Sequence, residues 1–258
     1  MENNRSMAAR FAGPLARVAW SLAALVGVMN LPVWWRRVGE VYGEASPAVR
    51  VAGAALELLM PVALTAAVLM AAALAGRRAL RLAGLAMLLV SGICAYFMIR
   101  FDIVIGYGVV KAVLTTDHGM SAELLGWMLA LWVGVACGLP ALWFLRRTAP
   151  QRLGSPARAA ASVRRQAAWG LLLAGLAALG MRQGLEPVKR ALPQRSLHAS
   201  FAGVIAHSYL PTNWLAGTGM VIGNELEAWR ADRQLDHPAR RPPARTPPQP
   251  PGQAGGVV

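Results

Sequence analysis

The chain has 258 residues, 56% apolar and 15% charged, and that balance leaves too little polar surface to cover a water-soluble domain of this size. Its net charge of +14, from 26 Lys and Arg against 12 Asp and Glu, would suit nucleic acid, acidic lipid or membrane topology. The cations fall between long uncharged runs and form no stripe with interleaved aromatics, which sets nucleic-acid binding aside in favour of a membrane.

A helix crossing the bilayer core needs roughly 20 mostly apolar residues, and five runs approach that length: residues 18–35, 51–75, 82–99, 124–145 and 166–181. The last is the shortest and spans only if residues past Arg182 extend it or the bilayer thins. The expected fold is all-α, a polytopic membrane bundle of about five transmembrane helices. Arg5, Arg10 and Arg17 precede the first run; Arg77, Arg78 and Arg81 separate the second from the third; Arg146, Arg147, Arg152, Arg158, Arg164 and Arg165 separate the fourth from the fifth. All three clusters fall on one side, and Lys and Arg accumulate in cytoplasmic loops. Residues 1–17 are thus read as a cytoplasmic N-terminus, with the C-terminus on the opposite face. The first run ends in Val33, Trp34, Trp35, Arg36 and Arg37, without the small residues of a signal-peptidase site, so it is read as an uncleaved first helix.

Patterns that carry chemistry are sparse. Cys94 and Cys137 are expected late in two oppositely directed helices, hence in opposite leaflets and too far apart for a disulfide. The histidines at 118, 198, 207 and 237 match no metal-ligand spacing. With no phosphate loop and no nucleophile elbow either, neither a catalytic residue nor a metal ligand is assigned. Gly134 with Gly138 and Gly219 with Gly223 form two Gly-xxx-Gly pairs, which in a chain of 26 glycines read as chance or plain helix packing. Glu57 is the only carboxylate within a run; it either faces a headgroup-binding cavity or reaches up to the outer interface. That single acid, the lack of a basic residue inside any run and the lack of an inverted repeat argue against a pore or transporter.

Residues 103–118 are too polar to span and too apolar for a free loop, which predicts a short helix lying in the outer interface. Thr116 or Asp117 is placed to cap the helix that follows, with Glu123 in its first turn.

Residues 103–125, IVIGYGVVKAVLTTDHGMSAELL, resemble the periplasmic segment of the phosphoethanolamine transferases that modify lipid A and the lipopolysaccharide core, including the mobile colistin-resistance enzymes. Asn30-Leu31-Pro32 before Val33-Trp34 is similar to the Asn-Leu-Pro-aromatic end of that family's first helix, and Pro211-Thr212-Asn213-Trp214 to its Pro-Ser/Thr-Asn-Tyr after the fifth. The resemblance implies a protein of the bacterial inner membrane. Residues 18–229 would form a five-helix membrane domain, with interfacial segments at 103–118 and 186–229, that helps bind phosphatidylethanolamine and lipid A. It also implies a periplasmic alkaline-phosphatase-like domain, in which a zinc-bound threonine takes up the phosphoethanolamine before passing it to a lipid sugar.

The zinc ligands of such a domain would lie downstream of residue 258. The chain is therefore expected to be inactive by itself, to carry no cofactor, and to depend on a catalytic domain in cis or on a separate chain. Its candidate substrate-binding residues are Thr116, Asp117, Glu123 and Glu57. Where the family places Asn, Thr and Glu four residues apart, this sequence reads Ala112, Thr116 and Met120: a methyl replaces an amide and a thioether replaces a carboxylate. That departure keeps open a non-catalytic membrane protein that binds lipid or a partner chain. Seven of the fourteen residues from 238 to 251 are proline, so residues 230–258 are expected to be an extended tail or linker. A periplasmic linker would look like this, and so would a frame translated out of register; a truncated gene, a split enzyme and a repurposed membrane module all stay open.

Overall fold

The structure is a computed structural model that describes residues 14–103, 105–115, 126–149, 156–192 and 208–236. Every element among the described residues is helical. Helix α1, Pro14–Val28, leads into α2, Leu31–Tyr42, with a bend of 61° between them. The run at 18–35 is therefore not one straight helix. Pro32, in the first turn of α2, has no N–H to give the Val28 carbonyl, and the helical ladder breaks at Met29 and Asn30.

Helix α3, Pro47–Leu74, starts where the Ser46 hydroxyl accepts a hydrogen bond from the Val49 amide at 3.5 Å, with Pro47 in the first turn. A tight turn through Gly76, at φ +115°, reverses the chain into α4, Arg77–Phe101; only glycine adopts that backbone without strain. Helix α5 is Tyr107–Thr115 and α6 is Trp127–Arg147. Within α6 the turn Val133–Gly138 is π-helical. The wide turn has a local cause, since Pro140 cannot donate to the Ala136 carbonyl as the α-helical ladder requires. Helix α7, Pro156–Arg190, and helix α8, Thr212–Asp236, complete the described chain.

By length and composition α3, α4 and α6 can cross a membrane, and the bent α1–α2 pair makes a fourth candidate. The described residues thus hold three or four such candidates where about five were expected. The run at 166–181 lies within α7, and at about 1.5 Å per residue its uncharged stretch reaches about 24 Å, short of the roughly 30 Å hydrocarbon core. Residues 186–190 belong to α7, and α8 runs to Asp236. The proline-rich stretch from 238 onward lies outside the described residues.

Helix α3 is the axis of the bundle, packed against α1, α4 and, most extensively, α7. Two large apolar clusters, with a small one of Ala23, Ala66 and Ala174, fill the interior. One gathers Val26, Met60, Met98, Ile105 and Leu210 at one end; the other gathers Leu15, Leu69, Leu80, Leu88 and Phe144 toward the other. The cysteines are free and buried, and nearer in depth than expected. The Cys137 thiol donates to the Leu88 carbonyl at 3.4 Å and lies against Gly92, only two residues from Cys94. Because α6 runs to Arg147, Cys137 sits at its middle and not at its end; the two thiols stay apart because they belong to different apolar clusters. Gly134, Gly219 and Gly223 have open space where a side chain would begin, and Gly138 meets only its own helix. No helix approaches closely on them.

Candidate functional site

A carboxylate inside a span must find partners, and Glu57 has them. It is fully buried on α3. Arg37, on α2, donates through Nε to Oε2 at 2.9 Å and through Nη2 to Oε1 at 3.2 Å. The Tyr42 hydroxyl donates to Oε1 at 2.8 Å, and the Tyr209 hydroxyl donates to Oε2 at 2.6 Å. Burial and then the adjacent carboxylate hold the Tyr209 phenol above its usual range, so it stays protonated as the donor. Four donors on two oxygens saturate the carboxylate, and a buried ion pair is tolerated when its remaining polar capacity is filled in this way. The space for Tyr42 exists because residue 53 is glycine: a Cβ there would lie 2.4 Å from the ring.

Beside this junction, two stretches of chain 180 residues apart in sequence are joined by Asn30. Its Nδ2 donates to the Leu210 carbonyl at 2.9 Å, and its Oδ1 accepts from the Leu210 amide at 2.6 Å. An asparagine is one of the few side chains that can serve a backbone amide and carbonyl at once. Asn30 thus satisfies both polar groups of a fully buried residue and fixes the turn that starts α8. The Trp214 indole donates to the Ser91 hydroxyl at 3.2 Å, which ties that turn to α4 as well, and the Thr212 hydroxyl donates to the Tyr209 carbonyl at 2.8 Å. The Asn-Leu-Pro and Pro-Thr-Asn-Trp motifs are therefore the two sides of one joint.

Helix α8 then carries α5. Gly217 brings the two into contact, since a Cβ there would lie 3.1 Å from the backbone at Gly106 and Tyr107. Asn224 donates to the Tyr107 hydroxyl at 3.0 Å. Val109 and Val110 of α5 pack on the apolar cluster below the junction, so α5 rests on the bundle end instead of standing free. Arg36 pairs with Asp102 at the end of α4; Asp102 is exposed and Arg36 partly buried.

Of the candidate substrate-binding residues, Glu57 is neither open to a cavity nor reaching to an interface; every acceptor position it has is taken within the protein. Thr116, Asp117 and Glu123 lie outside the described residues, on the segment that follows α5. The next described helix starts at Trp127. Ala112 is exposed on α5. Sequence reasoning missed Arg37, Tyr42 and Tyr209 as partners of Glu57. A lone carboxylate in a span does call for a cation, and Arg36 and Arg37 flank the preceding run. Nothing in the local pattern points to a tyrosine 152 residues away. Among the described residues no group of three or more His, Cys, Asp and Glu is placed to hold a metal.

The family model described as "Phosphoethanolamine transferase EptA/EptB" matches residues 58–199. Two curated relatives, each named Kdo(2)-lipid A phosphoethanolamine 7''-transferase, come from Salmonella typhimurium and Escherichia coli and are 30% and 31% identical over 235 residues. That match takes in 87% of this chain and 40% of each relative. The solved structure of the integral membrane protein lipooligosaccharide phosphoethanolamine transferase A (EptA) from Neisseria meningitidis is similar with a TM-score of 0.53 at 18% identity, over 81% of this chain and 37% of that one. At that identity the likeness speaks for the fold. The chain belongs to the phosphoethanolamine transferase EptA/EptB family and spans about 40% of the length of its curated relatives, over their N-terminal membrane region.

Proposed function

We propose that these 258 residues are the membrane half of a transferase that moves phosphoethanolamine from phosphatidylethanolamine to lipid A or the lipopolysaccharide core. It would sit in the bacterial inner membrane with its N-terminus cytoplasmic and with α7, tilted or in a locally thinned bilayer, as a fifth crossing. The observation that carries this reading is the joint itself. The stretches around Asn30 and Leu210, distant in sequence and each on or beside a motif of the family, close together with Glu57 into one joint at the end that supports α5. Such a joint binds no lipid. Its work is to hold α8, and through α8 to present α5 at a fixed height. On the segment after α5, Thr116 would hydrogen-bond a phosphate oxygen, and Asp117 or Glu123 would pair with the ethanolamine ammonium.

The metal chemistry is assigned, as the resemblance implies, to the part of the relatives outside the shared length. A metal supplies charge neutralisation and an activated nucleophile; this half supplies the lipid. The reading is tested by expressing the 258 residues alone, and fused to the unmatched remainder of the Salmonella relative, in a polymyxin-sensitive host, and weighing the lipid A. Phosphoethanolamine adducts are expected from the fusion only, and are expected to fall at least tenfold with Asp117→Asn combined with Glu123→Gln. Adducts from the 258 residues alone would overturn the division of labour. A folded fusion that makes none would favour the second reading, a non-catalytic protein that binds lipid or a partner chain. The methyl of Ala112, where the resemblance implies an amide, is the observation on its side.

A further inference from the structure

The opposite end of α1 carries a second polar site of a different kind. A groove of about 420 Å³ runs between α1 and α6. Arg17, Val18 and Ser21 line it from α1, and Trp143, Arg146 and Arg147 from α6. Residues three and four apart share a helix face, so each helix turns one continuous face to the groove. The three arginines line the groove with no ion pair or hydrogen bond among the described residues, and each is exposed.

Two neighbouring cations at this end are engaged. Arg77 donates to the Ala149 carbonyl, and Arg81 to the Thr148 hydroxyl and the Leu145 carbonyl, each at 3.2 Å. The Thr148 hydroxyl in turn donates to the Phe144 carbonyl at 2.8 Å. The C-terminal carbonyls of α6 are thus satisfied by Arg81 and Thr148, which leaves Arg146 and Arg147 to face the groove. The first turn of α1, whose macrodipole is positive, adds to the same field.

We infer that this groove binds the phosphate of an anionic phospholipid headgroup. Three unpaired guanidiniums supply more donors than one phosphate can accept, in the planar geometry that suits its oxygens. The choice of a lipid over a soluble phosphate rests on what continues from the groove. One turn along the same face of α1 lies Leu25, four residues past Ser21, and on α6 lie Leu139 and Leu142, four residues before Trp143 and Arg146; all three are exposed, at 36%, 64% and 54%. An apolar strip running from a cationic rim fits acyl chains below a headgroup, with the Trp143 indole at the boundary where such rings settle. Basic pockets between transmembrane helices take anionic headgroups in this manner.

The test is native mass spectrometry of the full chain released from micelles that contain phosphatidylglycerol or phosphatidylcholine. Retained phosphatidylglycerol is expected, with little phosphatidylcholine. The triple variant R17Q/R146Q/R147Q should retain about a hundredfold less, since each arginine near a lipid surface is worth about fivefold in affinity. The charge-matched R78Q/R164Q/R165Q, whose arginines are exposed but line no part of the groove, should retain phosphatidylglycerol as the parent does, and circular dichroism of both variants confirms their helices. Equal retention of the two lipids, or equal loss in both variants, would overturn the proposal. So would displacement of the bound lipid by millimolar inorganic phosphate, which would make the groove a soluble-anion site.

Discussion

The two ends of α1 solve the placement of charge in opposite ways. At the Asn30 end, the carboxylate and the guanidinium of Glu57 and Arg37 are withdrawn into the bundle and saturated by Tyr42 and Tyr209, with Glu57 fully buried. At the Arg17 end, three arginines line a groove and none is paired among the described residues. A saturated polar network has no capacity left for a ligand, but it fixes the elements that enter it. An unsaturated cluster fixes nothing, yet keeps its hydrogen-bonding capacity for something that arrives from outside. A polar residue at membrane depth therefore says little by itself about function, and the count of its partners says a good deal.

The contrast can be broken by mutation. The largest effect is expected from Glu57→Ala, which strands the Arg37 charge, 16% exposed, and leaves two tyrosine hydroxyls unmet. Removing one partner of a buried pair costs about 3–5 kcal/mol, so unfolding in mixed micelles should shift to markedly lower denaturant. Glu57→Leu combined with Arg37→Met should recover part of the loss. If Glu57→Ala were neutral, the junction would not be holding the bundle end. Asn30→Ala comes next, at about 2 kcal/mol, because the Leu210 amide and carbonyl lose their partner in a dry site. Hydrogen exchange at the start of α8 should rise with it, while the α3–α4 turn stays protected. The smallest effect is expected at the other end, where R17Q/R146Q/R147Q should leave the thermal midpoint where it was. A large drop would show that these arginines are structural, and the two ends would then differ in degree only.

Much of the architecture is legible in the residues themselves. The uncharged runs at 51–75, 82–99 and 124–145 became α3, α4 and α6 because the cost of burying backbone polar groups in lipid forces an apolar run of that length into a helix, whatever it packs against. Gly76 and Pro32 acted locally as well, one allowing a tight reversal and the other interrupting a ladder. The short helix expected near 103–118 is there as α5, for its apolar residues needed a surface to lie on.

Partnership was decided only by the tertiary structure. Glu57 was visible as an anomaly, but that its carboxylate closes onto Tyr209, and that Asn30 reaches Leu210, depends on where α2 swings after a 61° bend and on where the chain returns after α7. The depth of Cys137 likewise followed from the true ends of α6. Hydrophobic periodicity and helix propensity act over a few turns, and they wrote the helices into the sequence. Hydrogen bonds and ion pairs act over about 3 Å between atoms that the chain brings together from any distance. Which polar groups meet, and which are left open to a ligand, is therefore a property of the packed bundle alone.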